Sequence, residues 1–398
     1  MKCVGASRAG LALLLLFSGC LGQGSVDQAA PEALAAATLG SGAVTGLDPI
    51  GNLPAVTTND IAFKPGFVYT SSVASGARVY NVSDPNKPVE AAIVPCRGVD
   101  VGVVDLPMGK RIMTISSQGH DTCPNSSPSG GIRLVDVTVA DNPKVLGQVA
   151  LPAGSHSHSP WGDSGLIFNS QAGQNAPQNL PRSRVEILNI SDPLSPRIEA
   201  YHAFPTTSTA LGCHDIFMDL PARRAFCSAA SETQIWDMTN PLAPKVLAVI
   251  LNPKMQVHHW AATSLNGTLL VIGDESGGFV GPACTPGQPL GALWAYDIKE
   301  PTKPIEKGYF VPPRGAGPFL CTAHYYNFIA NSALLVGGFY TAGTVLVDFT
   351  NPAAPKMIDQ EVPPQANVWS SYWNEYDDHV YVGDVHRGLD VFRLHYGT

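Results

Sequence analysis

The chain repeats itself, and the repeat limits what it can fold into. The segment "GTVLVDFTNPAAPKMI" recurs as "GARVYNVSDPNKPVEAAIV", "GIRLVDVTVADNPKVLGQVAL", "SRVEILNISDPLSPRIEAY", "TQIWDMTNPLAPKVLAVI" and "LWAYDIKEPTKPIEKGYFV". Each copy is an alternating apolar run, a turn and a second run, the period-two signature of a half-buried strand pair. The turns are built on Asp84-Pro85, Asn142-Pro143, Asp192-Pro193, Asn240-Pro241, Glu300-Pro301 and Asn351-Pro352, and five of the six add a second proline three residues on. Proline presets φ, and an Asx side chain before it bonds the turn backbone.

A second motif alternates with the first. "NDIAFKPGFVYTSS", "VDVGVVDLPMGKRIMTISS", "SHSPWGDSGLIFNSQ", "CHDIFMDLPARRAFCSAA", "HHWAATSLNGTLLVIGDE", "AHYYNFIANSALLVGGFY" and "WSSYWNEYDDHVYVGD" each read as two strands around a short polar turn. Seven first halves and six complete second halves make seven units of four strands. Repeats of this length and strand content predict an all-β, seven-bladed β-propeller over residues 46–398. The seventh second half, "GLDVFRLHYGT", supplies one strand, so the ring needs an N-terminal strand around "SGAVTGLDPIG" to close it.

The N-terminus, "MKCVGASRAGLALLLLFSGCLGQG", joins basic Lys2 and Arg8 to an apolar run from Leu11 to Phe17 that is too short to span a bilayer. It ends in "LFSGC", similar to a bacterial lipobox. Residues 1–19 therefore read as a lipoprotein signal peptide, Cys20 as the lipidated residue and 20–45 as a flexible tether. This predicts an extracytoplasmic protein held on the outer membrane or cell surface through its lipid. Beyond Cys3 of the signal and Cys20, six cysteines in an oxidising compartment predict disulfides. A net charge of −8 with no Lys/Arg cluster excludes an evident nucleic-acid binder.

The cores "LVDVT", "ILNIS", "IWDMT" and "LVDFT", each followed by a turn, resemble the LVIVD repeat. "GCHDIFMD", "HHWAATSLNGTLLVIGDE", "AHYYNFIANSALLVGGFYTAGTVLVDFTNP" and "RGLDVF" look like the extracytoplasmic propellers called choice-of-anchor B proteins. The resemblance spans roughly residues 55 to 396. It implies the fold and a cell-surface location, and it implies no settled reaction.

In a propeller the first strand of each blade lines the channel, and its start shares one end with the finish of the second strand. Aligning the first halves places His156, His214, His259 and His324 at that mouth, with His158 and His258 one or two residues away. Asp60 and Asp100 take comparable positions in units one and two, and Trp369-Ser370-Ser371 in unit seven. Asp274, Glu275, Tyr340 and Asp384 end second strands at the same mouth. The layout pairs Cys96 with Cys123, Cys213 with Cys227 and Cys284 with Cys321. The three longest insertions, 118–130, 171–182 and 275–291, fall at this end, which marks it as the functional face.

Converging neutral imidazoles suit one divalent transition metal, so His156, His214, His259 and His324 are candidate ligands. Asp274, Glu275 and Asp384 are candidate general bases, and His158, His258, Tyr340 and Trp369 candidate ligand contacts. The bland alternative is a wet, polar channel mouth whose histidines bond only neighbouring blades. H-E-x-x-H, a G-x-S-x-G elbow, a P-loop and a helix-opening G-x-G-x-x-G are all absent from the sequence. Two functions follow. One is a cell-surface binding module for a protein, small-molecule or glycan ligand. The other is a metal-dependent hydrolase, lyase or oxidase. A purely structural envelope protein is the third reading.

Overall fold

The computed structural model describes residues 42–397 except 56, 120–121, 125–129, 152, 171–183, 204–211, 265, 276–288, 314–319 and 330–331. Cys20, Cys284, the signal and most of the tether, the insertion at 171–182 and most of the other two insertions lie outside the described residues.

Seven four-stranded antiparallel sheets form the blades of a β-propeller. The inner strands are Ile61–Lys64, Val101–Leu106, Ser157–Pro160, Asp215–Asp219, His258–Thr263, Tyr326–Phe328 and Val368–Asn374 for blades one to seven. Neighbouring inner strands touch around the ring, the seventh meeting the first. Val44–Leu53 pairs antiparallel with Gly388–Tyr396 and becomes the outer strand of blade seven. The last blade is thus built from both ends of the described chain, as the incomplete seventh repeat requires.

The repeat's consensus letters have local causes. The third strand of most blades opens on glycine, and at Gly131 and Gly343 φ is positive and a Cβ would lie 2.0 Å from a carbonyl oxygen of the outer strand. Only glycine allows that approach. The same strands end on Asn81, Asp136, Asn189, Asp237 and Asp348, whose carbonyl or carboxylate oxygens accept the N–H two residues on. The apparent N-x-S/T sequons at Asn81 and Asn189 are therefore this Asx cap. The turn that follows is closed by Lys87 N–H to Asp84 O in blade one and by Asn142 N–H to Val139 O in blade two. That register corrects one expectation. Val139 takes the Asx place in blade two, and Pro143 matches the second proline of the other turns.

Apolar residues fill the spaces between blades. Phe168, Val185 and Ile187 of blade three pack with Ile216, Ala225 and Trp236 of blade four, and the same arrangement recurs between other neighbours. Burying each such side chain contributes about 1.5–3 kcal/mol. Cys96–Cys123 and Cys213–Cys227 form disulfides at the expected positions. Cys321 is also disulfide-bonded.

Candidate metal centre

Backbone pairing sets the register at the mouth. The N–H groups of Asn59, His156, His214 and His324 bond the carbonyls of Ser71, Ser170, Ser228 and Gly338 at the ends of their second strands. These four residues are equivalent, and each lies one or two residues ahead of an inner strand. His259 joins them from the bulged start of blade five, and Trp369 from the bulge in blade seven. The next residues make a lower tier that includes Asp60, Asp100, Ser157, Asp215 and Tyr325. Asp60 and Asp100 therefore match Asp215, not His214, a one-residue correction that moves them from the mouth into the channel.

The upper tier is an arc of imidazoles from blades three to six. Ring centroids are 4.3 Å apart for His156–His214, 4.4 Å for His214–His259 and 4.2 Å for His259–His324. Trp369 closes the arc 4.4 Å from His324, and Tyr340 lies 5.1 Å from that ring. Glu275 reaches in from the end of a second strand. Its carboxylate is 3.6 Å from His259 Nε2 and 3.7 Å from His324 Nε2, and it accepts the Tyr340 hydroxyl at 2.8 Å.

His214, His259 and Glu275 bring one ligand atom each within 4.8 Å of one another. Donors of a tetrahedral site with bonds of about 2.1 Å stand roughly 3.4 Å apart, so small side-chain rotations would close this set on an ion. His259 and His324 are buried, while the side chains of His214 and Glu275 keep 17% and 18% of their surface. The set meets solvent through His214 and Glu275.

Second contacts orient the candidate ligands. Asp215 Oδ2 lies 2.7 Å from His214 Nδ1 and 3.7 Å from His259 Nε2. Gln118 bonds His156 Nδ1. With Nδ1 held by Asp215, Nε2 is the atom of His214 left for a metal. The buried Nδ1 atoms of His259 and His324 close no hydrogen bond of full geometry.

The electrostatics keep most of the arc neutral. Burial, then the neighbouring His214, push His156 down to about 3. Burial also lowers His259, against the pull of Glu275, and holds His324 well below the usual imidazole range, with His259 adding to it. At His214 burial again disfavours the charge, but Asp215 outweighs it by charge and hydrogen bond and raises the pKa. Asp215 is held below the usual carboxylate range because His214 overcomes its burial. Neutral imidazoles beside two carboxylates are the donor set that a transition-metal cation takes.

Other candidates have different tasks. Asp274 accepts main-chain N–H groups of Gln256, Val257 and Gly291, and Asp384 those of Asn367, His386 and Arg387. These equivalent carboxylates tie loops together, which leaves Glu275 as the acid facing the arc. His158 and His258 turn toward neighbouring blades, bonding Thr114 at 2.6 Å and Thr233 at 2.8 Å. A cleft of about 440 Å³ at the opposite, turn-bearing end is lined by Ser264, Asn266, Asp297 and Lys299 among others and gathers no histidines.

Asp215 was not singled out from the sequence. Its signal was the alignment itself, because shifting the register by one residue places it with Asp60 and Asp100. Comparison with protein-family models and with curated proteins returns no match.

Proposed function

We propose that this protein is an extracytoplasmic, lipid-anchored propeller of the LVIVD-repeat, choice-of-anchor B type that binds a divalent transition metal at its channel mouth. His214, His259 and Glu275 are the ligands, with His324 and His156 flanking them. The site meets solvent and presents the metal to a ligand from solution, so the protein serves as a cell-surface binding module. The observation that carries this reading is the convergence of His214, His259 and Glu275 within 4.8 Å, at an end where two disulfides staple the chain. The repeat cores and the lipobox-like "LFSGC" support the family and the anchor. The disulfides agree with an oxidising compartment.

A metal-dependent hydrolase, lyase or oxidase is the second reading. In that reading the histidines would hold the metal, and Glu275, which accepts the Tyr340 hydroxyl at 2.8 Å, would be the general base instead of a ligand.

The test is metal content by mass spectrometry on the purified protein, as isolated and after reloading with zinc, copper or manganese. Near-stoichiometric metal that is lost in His214→Ala plus His259→Ala is the expected result. A wild-type protein that neither retains nor takes up metal, or a double variant that keeps it, would sink the proposal.

A further inference from the structure

Below the arc the channel widens into a second compartment. A cavity of about 290 Å³ follows the inner strands away from the mouth. Asp60, Asp100 and Asp215 line its upper end, and Phe63, Phe217 and Trp260 are among its walls. Tyr325 and Tyr372 bridge the two, donating to Asp215 Oδ1 at 2.9 Å and to Asp60 Oδ1 at 3.1 Å. Neither lysine nor arginine is among the lining residues.

The charges do not balance. Asp215 is engaged by His214 Nδ1 at 2.7 Å and by the Tyr325 hydroxyl. Asp60 and Asp100 both line the cavity, and burial raises both, Asp100 to about 6. Neighbouring buried carboxylates disfavour a second negative charge, so such a pair tends to share one proton and keep one charge. The donors that reach the pair are neutral: the Tyr372 hydroxyl and the main-chain N–H groups of Val101 and His158. The nearest strand's cation, Lys64, is engaged by Asp163 at 2.6 Å and Asp105 at 3.6 Å. His158, 4% exposed, also lines the cavity, and its Nδ1 lies 3.1 Å from Asp100 Oδ2 without closing a hydrogen bond. A buried charge without a counter-ion is costly, so an occupant carrying a positive charge would be favoured beside these acids.

The walls decide which kind. Among the described residues the only group that brings three metal-ligating atoms within 4.8 Å is His214, His259 and Glu275, so the lower acids are not arranged around a metal ion. The cavity instead offers aromatic surface. Phe217 and Trp260 meet edge to face at 5.8 Å, Trp260 and Tyr325 at 5.1 Å, and Phe63 and Tyr372 at 6.4 Å. Aromatic faces and edges beside a carboxylate suit a cation with an apolar body.

We propose that the channel cavity binds a small organic cation, its ammonium head at the Asp60–Asp100 pair and its apolar body against Phe63, Phe217 and Trp260. The site shares none of these residues with the metal ligands and does not require that metal binds.

Isothermal titration of the purified protein with 2-phenylethylammonium, against neutral 2-phenylethanol and anionic phenylacetate, tests this near neutral pH. It is run on chelator-treated and on metal-reloaded protein. The amine should bind once per chain and at least about tenfold tighter than the alcohol, as one charge-assisted contact predicts, and phenylacetate should not bind. Asp60→Asn plus Asp100→Asn should abolish the preference without changing metal content. Phe217→Leu should weaken the amine severalfold while the fold is retained. Absent amine binding, equal binding of amine and alcohol, or a preference that survives the double aspartate variant would each overturn the assignment. The amine-to-alcohol comparison needs only the wild-type protein, so a variant that misfolds does not remove the test.

Discussion

Buried histidines make this molecule acid-sensitive. His158 and His258 are pushed down to about 4, burial being the first cause for both. In the unfolded chain an imidazole titrates near 6.5. Between those values the unfolded chain binds more protons than the folded one, so stability is complete above about pH 6.5 and falls as pH drops toward 4. Each group contributes a slope of at most about 1.4 kcal/mol per pH unit. His156, His259 and His324 act in the same direction. Groups with raised pKa act in the opposite one, their contribution being lost as pH rises: Asp60, Asp100, His214, Glu361, Glu375, Asp377 and Asp384. His202 and the lowered carboxylates Asp48, Asp105, Asp136, Asp215, Asp237 and Asp297 add to the loss in acid. Denaturant midpoints of chelator-treated protein should therefore fall as pH is lowered from neutrality. A midpoint that is flat or rises over that range contradicts the buried neutral state. At the same scale, Asp215 is a positioning residue that fixes which nitrogen of His214 faces the ligand set.

At the scale of elements, the disulfide between Cys213 and Cys227 joins the start of an inner strand to its partner 14 residues on. Closing a loop of about 15 residues stabilises by roughly 3 kcal/mol in the chain-entropy account. His214 follows Cys213 directly, so the staple also holds a residue proposed as a metal ligand. Cys213→Ser plus Cys227→Ser should lower stability by about that amount and weaken metal binding. Loss of stability with unchanged metal affinity would show that the strand holds His214 unaided. Strands and turns were legible because their causes are local: period-two alternation, glycine where an outer carbonyl approaches, Asx where a third strand ends. Blade two was misread by the same logic, since "DNP" satisfies an Asx-Pro pattern while Val139 holds the structural place. The roles of Asp274 and Asp384 were not legible. A carboxylate bonded to three main-chain N–H groups looks in sequence like one left free for chemistry.

At the scale of the whole molecule, closure is the decisive contact. Val44–Leu53 covers the edge of Gly388–Tyr396, and an uncovered edge strand is a template for association. Deleting residues 44–53 should yield a chain that aggregates or loses its single unfolding transition, read by light scattering and calorimetry. A monomeric variant with the wild-type transition would mean that blade seven stands on three strands. The sequence by itself determined the blade count, the four-strand unit and the need for an N-terminal closing strand, because a repeat writes its period into the chain. It also determined that histidines recur at the start of inner strands. Only the tertiary structure decided which atoms meet. Four histidines drawn from residues 156 to 324 become neighbours because the ring curves, and Glu275 rather than Asp274 faces them because adjacent residues of a strand point to opposite sides. One residue of register separates the imidazole arc from the acidic tier beneath it. Periodicity alone does not resolve that difference, and the inter-strand hydrogen bonds do.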